Sequence, residues 1–188
     1  KGLQCLGEDE KYDKMHACAK HFAVHSGPEW NRHTFNAENI SPRDLYETYL
    51  PAFEALVKDA KVKEVMCAYN RFEGDPCCGS DQLLINILRN EWNYQGIVVS
   101  DCWAIRDFHE NHKVTSKPTE SVTKALKAGC DLNCGCTYQH IMAAYEAGMI
   151  AEEDITRCAV RLFTTRFLLG TLGDEGSEYD TIPYTAIA

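Results

Sequence analysis

The apolar run GIVVS over 96–100 ends on a carboxylate, Asp101. A run without polar alternation reads as a strand covered on both faces, so Asp101 stands at a strand tip above a dry core. An unpaired charge there costs free energy, so the position needs either a partner or a task. The structural roles are a helix N-cap or a salt bridge. The chemical role is a nucleophile or base, since a carboxylate can attack an anomeric carbon and form a covalent glycosyl intermediate. Cys102 beside it opens a thiol alternative with His21 or His33 as base, but no oxyanion-loop glycines surround it. Trp103, one residue further, offers a stacking platform for a sugar face.

Donors stand at other strand ends. Lys20 and His21 are adjacent in HACAKHFAV (16–24). Strand neighbours point to opposite faces, whereas at a strand's end both can reach one pocket. They are donors to sugar hydroxyls, or else a surface lysine and a satisfied histidine. Arg32 and His33 follow in the next loop, where an arginine fork holds hydroxyls or orients a carboxylate. Tyr69 closes the run VMCAY (65–69). It either donates to a nucleophilic carboxylate and lines the pocket, or belongs to the core.

The elements that must position these groups alternate. Strands are expected over 16–24, 65–69, 97–100 and 130–134, each followed by a helical pattern. Ser41 caps a helix with Pro42 at its first position, and Pro51 must kink or break it. After the turn EGDPCCGS, Ser80 starts a helix with Leu83, Leu84, Ile87 and Leu88 on one face. Pro118 opens another, with Val122, Ala125 and Leu126 inward and Gly129 as its left-handed cap. A helix over 138–147 stops at Gly148. The last helix has Glu152, Glu153 and Asp154 in its first turn and runs to Gly170. Beyond Leu172 the segment GDEGSEYD reads as an exposed linker, 173–188.

This order is that of βαβ units with right-handed crossovers and a parallel sheet. The strands end in polar groups, Lys20-His21, Tyr69-Asn70, Ser100-Asp101 and Asp131 to Asn133. Such a constellation at strand C-termini favours a β/α-barrel site. A doubly wound sheet is the alternative, but no Gly-rich phosphate loop follows any strand.

Composition narrows the function classes. The chain has 188 residues, 28 acidic and 19 basic, with net charge −9 and pI near 5.2. Hydrophobic residues at 45% and charged residues at 25% are ordinary globular usage. An acidic surface repels phosphate backbones and argues against a nucleic-acid partner. No stretch approaches the roughly 20 apolar residues that span a bilayer, so no membrane partner is expected. Of ten cysteines, only Cys130, Cys134 and Cys136 cluster. Paired CxxC knuckles are absent, so buried thiols plus one or two disulfides are expected rather than a metal. The cysteine usage tilts toward an oxidising compartment, periplasmic or extracellular.

Together KHFAVHSGPEWNRHTFNA, VMCAYNRFEGDPCCGSDQLLINILRNEW and YQGIVVSDCWAI resemble the barrel domain of glycoside hydrolase family 3. The resemblance covers about residues 15 to 170. It implies an exo-acting, retaining glycosidase of the β-glucosidase or β-xylosidase kind, with no cofactor. It implies Asp101 as nucleophile, with Tyr69 beside it. Lys20, His21 and Arg32 then bind the terminal sugar, and Met66 lines the pocket. Ser-Asp-Cys and Asp-Leu-Asn-Cys-Gly resemble the β-xylosidase and arabinosidase branch. His-Ser-Gly-Pro-Glu resembles a β-glucosidase-like group. The run AVHSGP after Phe22 departs from the N-acetylglucosaminidase branch.

Length then takes on a different meaning. A closed barrel needs eight strands in typically about 250 residues, and four are counted here. The chain begins at Lys1 without a charged-then-apolar leader. It therefore reads, over 1–172, as the second half of a (β/α)8 barrel. The resemblance implies that an N-terminal half-barrel supplies further sugar contacts. It also implies that a C-terminal α/β domain supplies the acid/base carboxylate; within this chain Glu29 and Glu38 are local alternatives that no spacing or motif singles out. The expected partners are an oligosaccharide or glycoside and the missing parts of the same polypeptide. Self-association of the isolated piece is expected too. The rivals are a non-catalytic carbohydrate-binding fragment and a thiol- or metal-binding protein using Cys130 to Cys136.

Overall fold

The computed structural model describes residues 3–4 and 11–172, so the expected linker 173–188 lies outside the described residues. The fold is α/β. Strands β1 (Cys18–Phe22), β3 (Glu64–Cys67) and β6 (Ile97–Ser100) form a parallel sheet in that order, and β2 (Asn36–Ala37) lies between the first two in sequence. The register aligns Ala19 with Val65 and Val65 with Val98. These three side chains are all buried, on one face of the sheet. Met66 and Val99 are paired on the other face and are half-buried. The Lys20–His21 and Phe22–Ala23 peptide bonds are cis.

The fourth expected strand, 130–134, is reduced to a single parallel bridge between Val99 and Leu132. Two forces bend the chain away. The Asp131 carboxylate takes the Val98 N–H at 2.8 Å, a donor of the strand it would join. Cys134 is tied by a disulfide to Cys102.

Helix α1 (Pro42–Asp44) is capped by Ser41, whose hydroxyl accepts from Asp44 N–H. A π-turn over Leu45–Tyr49 follows, and α2 (Pro51–Lys58) begins at Pro51. Proline carries no N–H, so the regular ladder cannot continue through it; the Leu50 N–H instead reaches the Leu45 carbonyl. The helix after Ser80 is π-helical over Asp81–Glu91, and it buries Leu83, Leu84, Ile87 and Leu88 as its spacing predicts. Each such side chain contributes roughly 1.5–3 kcal/mol of burial.

Helix α3 (Ala104–Glu110) follows β6 at once, and α4 (Pro118–Lys127) buries Val122, Ala125 and Leu126. Gly129 and Gly148 adopt positive φ after α4 and α5 (Ile141–Glu146), where the chain must reverse. Helix α6 (Glu152–Leu168) closes the described chain. Among the described residues, no helix is long and apolar enough to cross a membrane.

A second, small sheet was not foreseen. Strand β2 pairs in parallel with β4 (Arg71–Phe72), which forms a hairpin with β5 (Asp75–Pro76). The turn residues Glu73 and Gly74 both have positive φ, as a two-residue hairpin turn requires. This sheet sets the loop carrying Arg32 and His33 against the loop carrying Tyr69.

Candidate active site

Asp101 leaves the tip of β6 with its backbone N–H on the Cys67 carbonyl of β3. Its Oδ1 accepts from the Cys102 N–H at 2.7 Å, and its Oδ2 lies 3.2 Å from His21 Nε2. The Tyr69 hydroxyl lies near enough to the same carboxylate to feel its charge. Burial first, then the Asp101 charge, push the Tyr69 hydroxyl up to about 12, so it keeps its proton through neutral pH. Burial pulls His21 down and outweighs the opposing pull of Asp101. His21 is therefore a neutral ring beside a carboxylate. The Asp101 side chain is 12% exposed, which is enough for an oxygen to face a ligand.

Lys20 and His21 also line a cavity of about 270 Å³ with His25, Ser26, Thr48 and Tyr49. His21 thus joins that cavity to the carboxylate. Arg32 stacks its guanidinium over the Tyr69 ring at 5.0 Å and pairs with Glu29. Of the two local substitutes for an acid, Glu29 is bound to Arg32 and Glu38 accepts from the Asn36 amide.

Trp103 follows the carboxylate in the left-handed region, φ 69°, and is 42% exposed. Arg106 covers one face of its ring at 4.9 Å. Gly135 approaches so closely that a Cβ there would sit 3.3 Å from the indole. The Cys102–Cys134 disulfide and the Trp103 N–H bond to the Cys134 carbonyl fix this loop. Met66 lies in the middle of β3, is half-buried, and is not among the side chains lining the Lys20 cavity.

Two readings of the sequence are corrected. Asp131, grouped with the polar strand tips, is a buried anchor: its oxygens bind Arg89 at 2.8 Å and Arg161 at 3.0 Å. The cysteine cluster is dispersed, since Cys134 pairs with Cys102, Cys130 is a buried thiol and Cys136 is exposed. A second disulfide joins Cys67 to Cys78.

The sequence reading missed Asp107. It is 1% exposed on α3, and its Oδ2 lies 2.8 Å from His33 Nδ1. A signal existed, because Ala104, Ile105 and Phe108 recur at helical spacing and all three are buried. His112 was also missed. It is 5% exposed, stacks on Phe108, and has no hydrogen-bond partner for its ring nitrogens among the described residues.

The chain belongs to glycosyl hydrolase family 3: the profile of the family's N terminal domain matches residues 1–165. Among curated relatives, a xylan 1,4-beta-xylosidase of Xylanibacter ruminicola is 50% identical over 100% of this chain and 22% of its own length. Among solved structures, the GH3 exo-beta-xylosidase XlnD, in complex with a xylobiose aziridine probe, superposes with a TM-score of 0.85. It is 32% identical over 96% of this chain and 24% of that one. A β-glucosidase from Erythrobacter marinus has a TM-score of 0.80 and 26% identity, covering 90% of this chain and 23% of its own. The chain thus spans about a fifth to a quarter of the relatives it matches.

Proposed function

We propose that this chain is the nucleophile-bearing part of a retaining, exo-acting β-glycosidase that releases terminal β-linked xylose. The observation that carries the reading is Asp101: a carboxylate at a strand tip, with one oxygen held by the Cys102 N–H and the other beside His21. Asp101 Oδ2 attacks the anomeric carbon as the glycosidic bond breaks, and the leaving oxygen takes a proton from an acid. Water then hydrolyses the glycosyl–Asp ester. Tyr69 holds the carboxylate through its hydroxyl. Lys20, His21 and Arg32 donate to sugar hydroxyls, Trp103 stacks on a sugar face, and Met66 borders the pocket.

The parallel sheet of β1, β3 and β6 with its helices is part of the second half of a (β/α)8 barrel. The other half, and the α/β domain with the acid/base, belong to other parts of a longer polypeptide. The chain's share of about a fifth of a xylosidase's length supports this. The 50% identity to that xylosidase favours xyloside over glucoside.

The test uses the full polypeptide. Asp101→Asn is expected to abolish turnover of nitrophenyl β-xyloside with the thermal midpoint kept. A fluorinated xyloside is expected to label the peptide containing Asp101. Near-normal turnover in the variant, or a label elsewhere, rules the assignment out. Greater efficiency on nitrophenyl β-glucoside than on the xyloside would overturn the substrate choice.

A further inference from the structure

Arg32 has only donors, so its Nε, 3.2 Å from His33 Nε2, must be giving a proton to a ring nitrogen that carries none. The ring proton therefore sits on Nδ1, which donates to Asp107 Oδ2 at 2.8 Å. The other Asp107 oxygen accepts from Asn111 Nδ2 at 2.5 Å. Asp107 is thus buried, fully engaged and fixed on α3. Chemistry alone sets the tautomer of His33, whatever the placement of hydrogens.

The consequence falls on two groups of the proposed sugar site. The guanidinium of Arg32 has Nε on His33, Nη1 on Glu29 and its flat face on Tyr69. Among the described residues, Nη2 is the arm left to reach a ligand. The His33 ring also meets the Tyr69 ring edge-on at 4.5 Å, and the Tyr69 hydroxyl lies within reach of the Asp101 charge. A buried carboxylate on α3 thereby fixes a loop histidine, which fixes its neighbouring arginine and a tyrosine on another loop.

We propose that His33 and Asp107 form a positioning pair that locks Arg32 and Tyr69 around the nucleophile. This rests on the glycosidase reading above. The pair touches no substrate; it sets the orientation of groups that do. Histidine is needed because one ring must donate on one side and accept on the other, which neither a phenyl ring nor a lysine can do.

The test compares variants of the full polypeptide on nitrophenyl β-xyloside. His33→Asn keeps a donor near the Nδ1 position but offers nothing to Arg32, whereas His33→Gln places an amide oxygen near the Nε2 position. His33→Phe keeps the ring packing and removes both nitrogens. Misplacing reacting groups by about an ångström lowers rate by up to roughly 100-fold. We expect kcat/KM to fall roughly 10- to 100-fold in His33→Phe and His33→Asn, and distinctly less in His33→Gln. The thermal midpoint is expected to hold in His33→Asn, which keeps a donor for the buried Asp107, and to fall in His33→Phe and His33→Gln, which leave that carboxylate with Asn111 alone. In an Arg32→Ala background, His33→Phe is expected to cost nothing further. Equal losses with and without Arg32, or a His33→Phe enzyme as active as wild type, would overturn the proposal while leaving the glycosidase reading intact. A wild-type polypeptide without xylosidase or glucosidase turnover would overturn that reading and this proposal with it.

Discussion

At the scale of the residue, the site is governed by which side chains stay neutral. Burial keeps His21 unprotonated and Tyr69 protonated, so Asp101 has two uncharged neighbours. His112 shows the same effect more strongly. Burial, aided by the positive charge of Arg71, pulls it down to about 4 from 6.5. In the unfolded chain this ring takes up a proton near its ordinary value, whereas the folded protein holds it neutral until about pH 4. Protonation thus favours unfolding. The stability associated with the neutral ring is complete above pH 6.5 and declines as pH falls toward about 4, by about 3 kcal/mol in total. His21 and His109 are shifted in the same direction, while burial raises Asp107 and gives it the opposite slope. The comparison that isolates His112 is therefore a difference. Thermal midpoints measured from pH 7 to pH 4 are expected to fall less steeply in His112→Gln than in wild type, and parallel slopes would refute the assignment.

At the scale of the element, the sheet is held from beneath as well as from its faces. The Asp131 side chain, fully buried, joins Arg89 of the Asp81–Glu91 helix, Arg161 of α6 and the Val98 N–H of β6. Three elements thus meet on one carboxylate at the end of the sheet away from Asp101. Removing it strands two guanidinium groups in a poorly solvated place, which costs about 3–5 kcal/mol. Asp131→Ala is expected to lower the thermal midpoint sharply, and Asp131→Asn less, because an amide oxygen can still accept from Val98 or one arginine. Equal, small effects of the two would show that the cluster is mere packing. The small sheet of β2, β4 and β5 does the corresponding work at the other end. Arg71 N–H on the Phe35 carbonyl and Glu73 N–H on the Ala37 carbonyl zip together the two loops that carry Arg32, His33 and Tyr69.

At the scale of the whole molecule, the open features are an edge and a stripe. Among the described residues β1 has one neighbour in its sheet, β3, so its other side presents unpaired backbone groups. On α6, Val160, Phe163 and Phe167 recur at helical spacing and are 58%, 46% and 61% exposed. Apolar surface of this kind seeks cover. The isolated 188-residue chain is expected to associate in sedimentation at micromolar concentration and to show no turnover. A clean monomer, or a fragment active on nitrophenyl β-xyloside, would count against the half-barrel proposal.

The sequence by itself determined the βα alternation, the apolar faces of the helices and the tip position of Asp101, because these follow from local periodicity and from what a dry strand can carry. It also marked Lys20, His21, Arg32 and Tyr69, whose types declare their chemistry wherever they stand. The fate of the segment 130–134 was not legible, since a side chain 33 residues from Val98 and a disulfide 32 residues long decided it. Nor was the role of Asp131, which reads as a strand-tip acid until Arg89 and Arg161 close on it. The link from Asp107 to His33 spans 74 residues. No spacing rule reaches across such a gap. Only packing decides which buried carboxylate meets which ring, because a charge in a dry interior is tolerated solely where the fold brings it a partner.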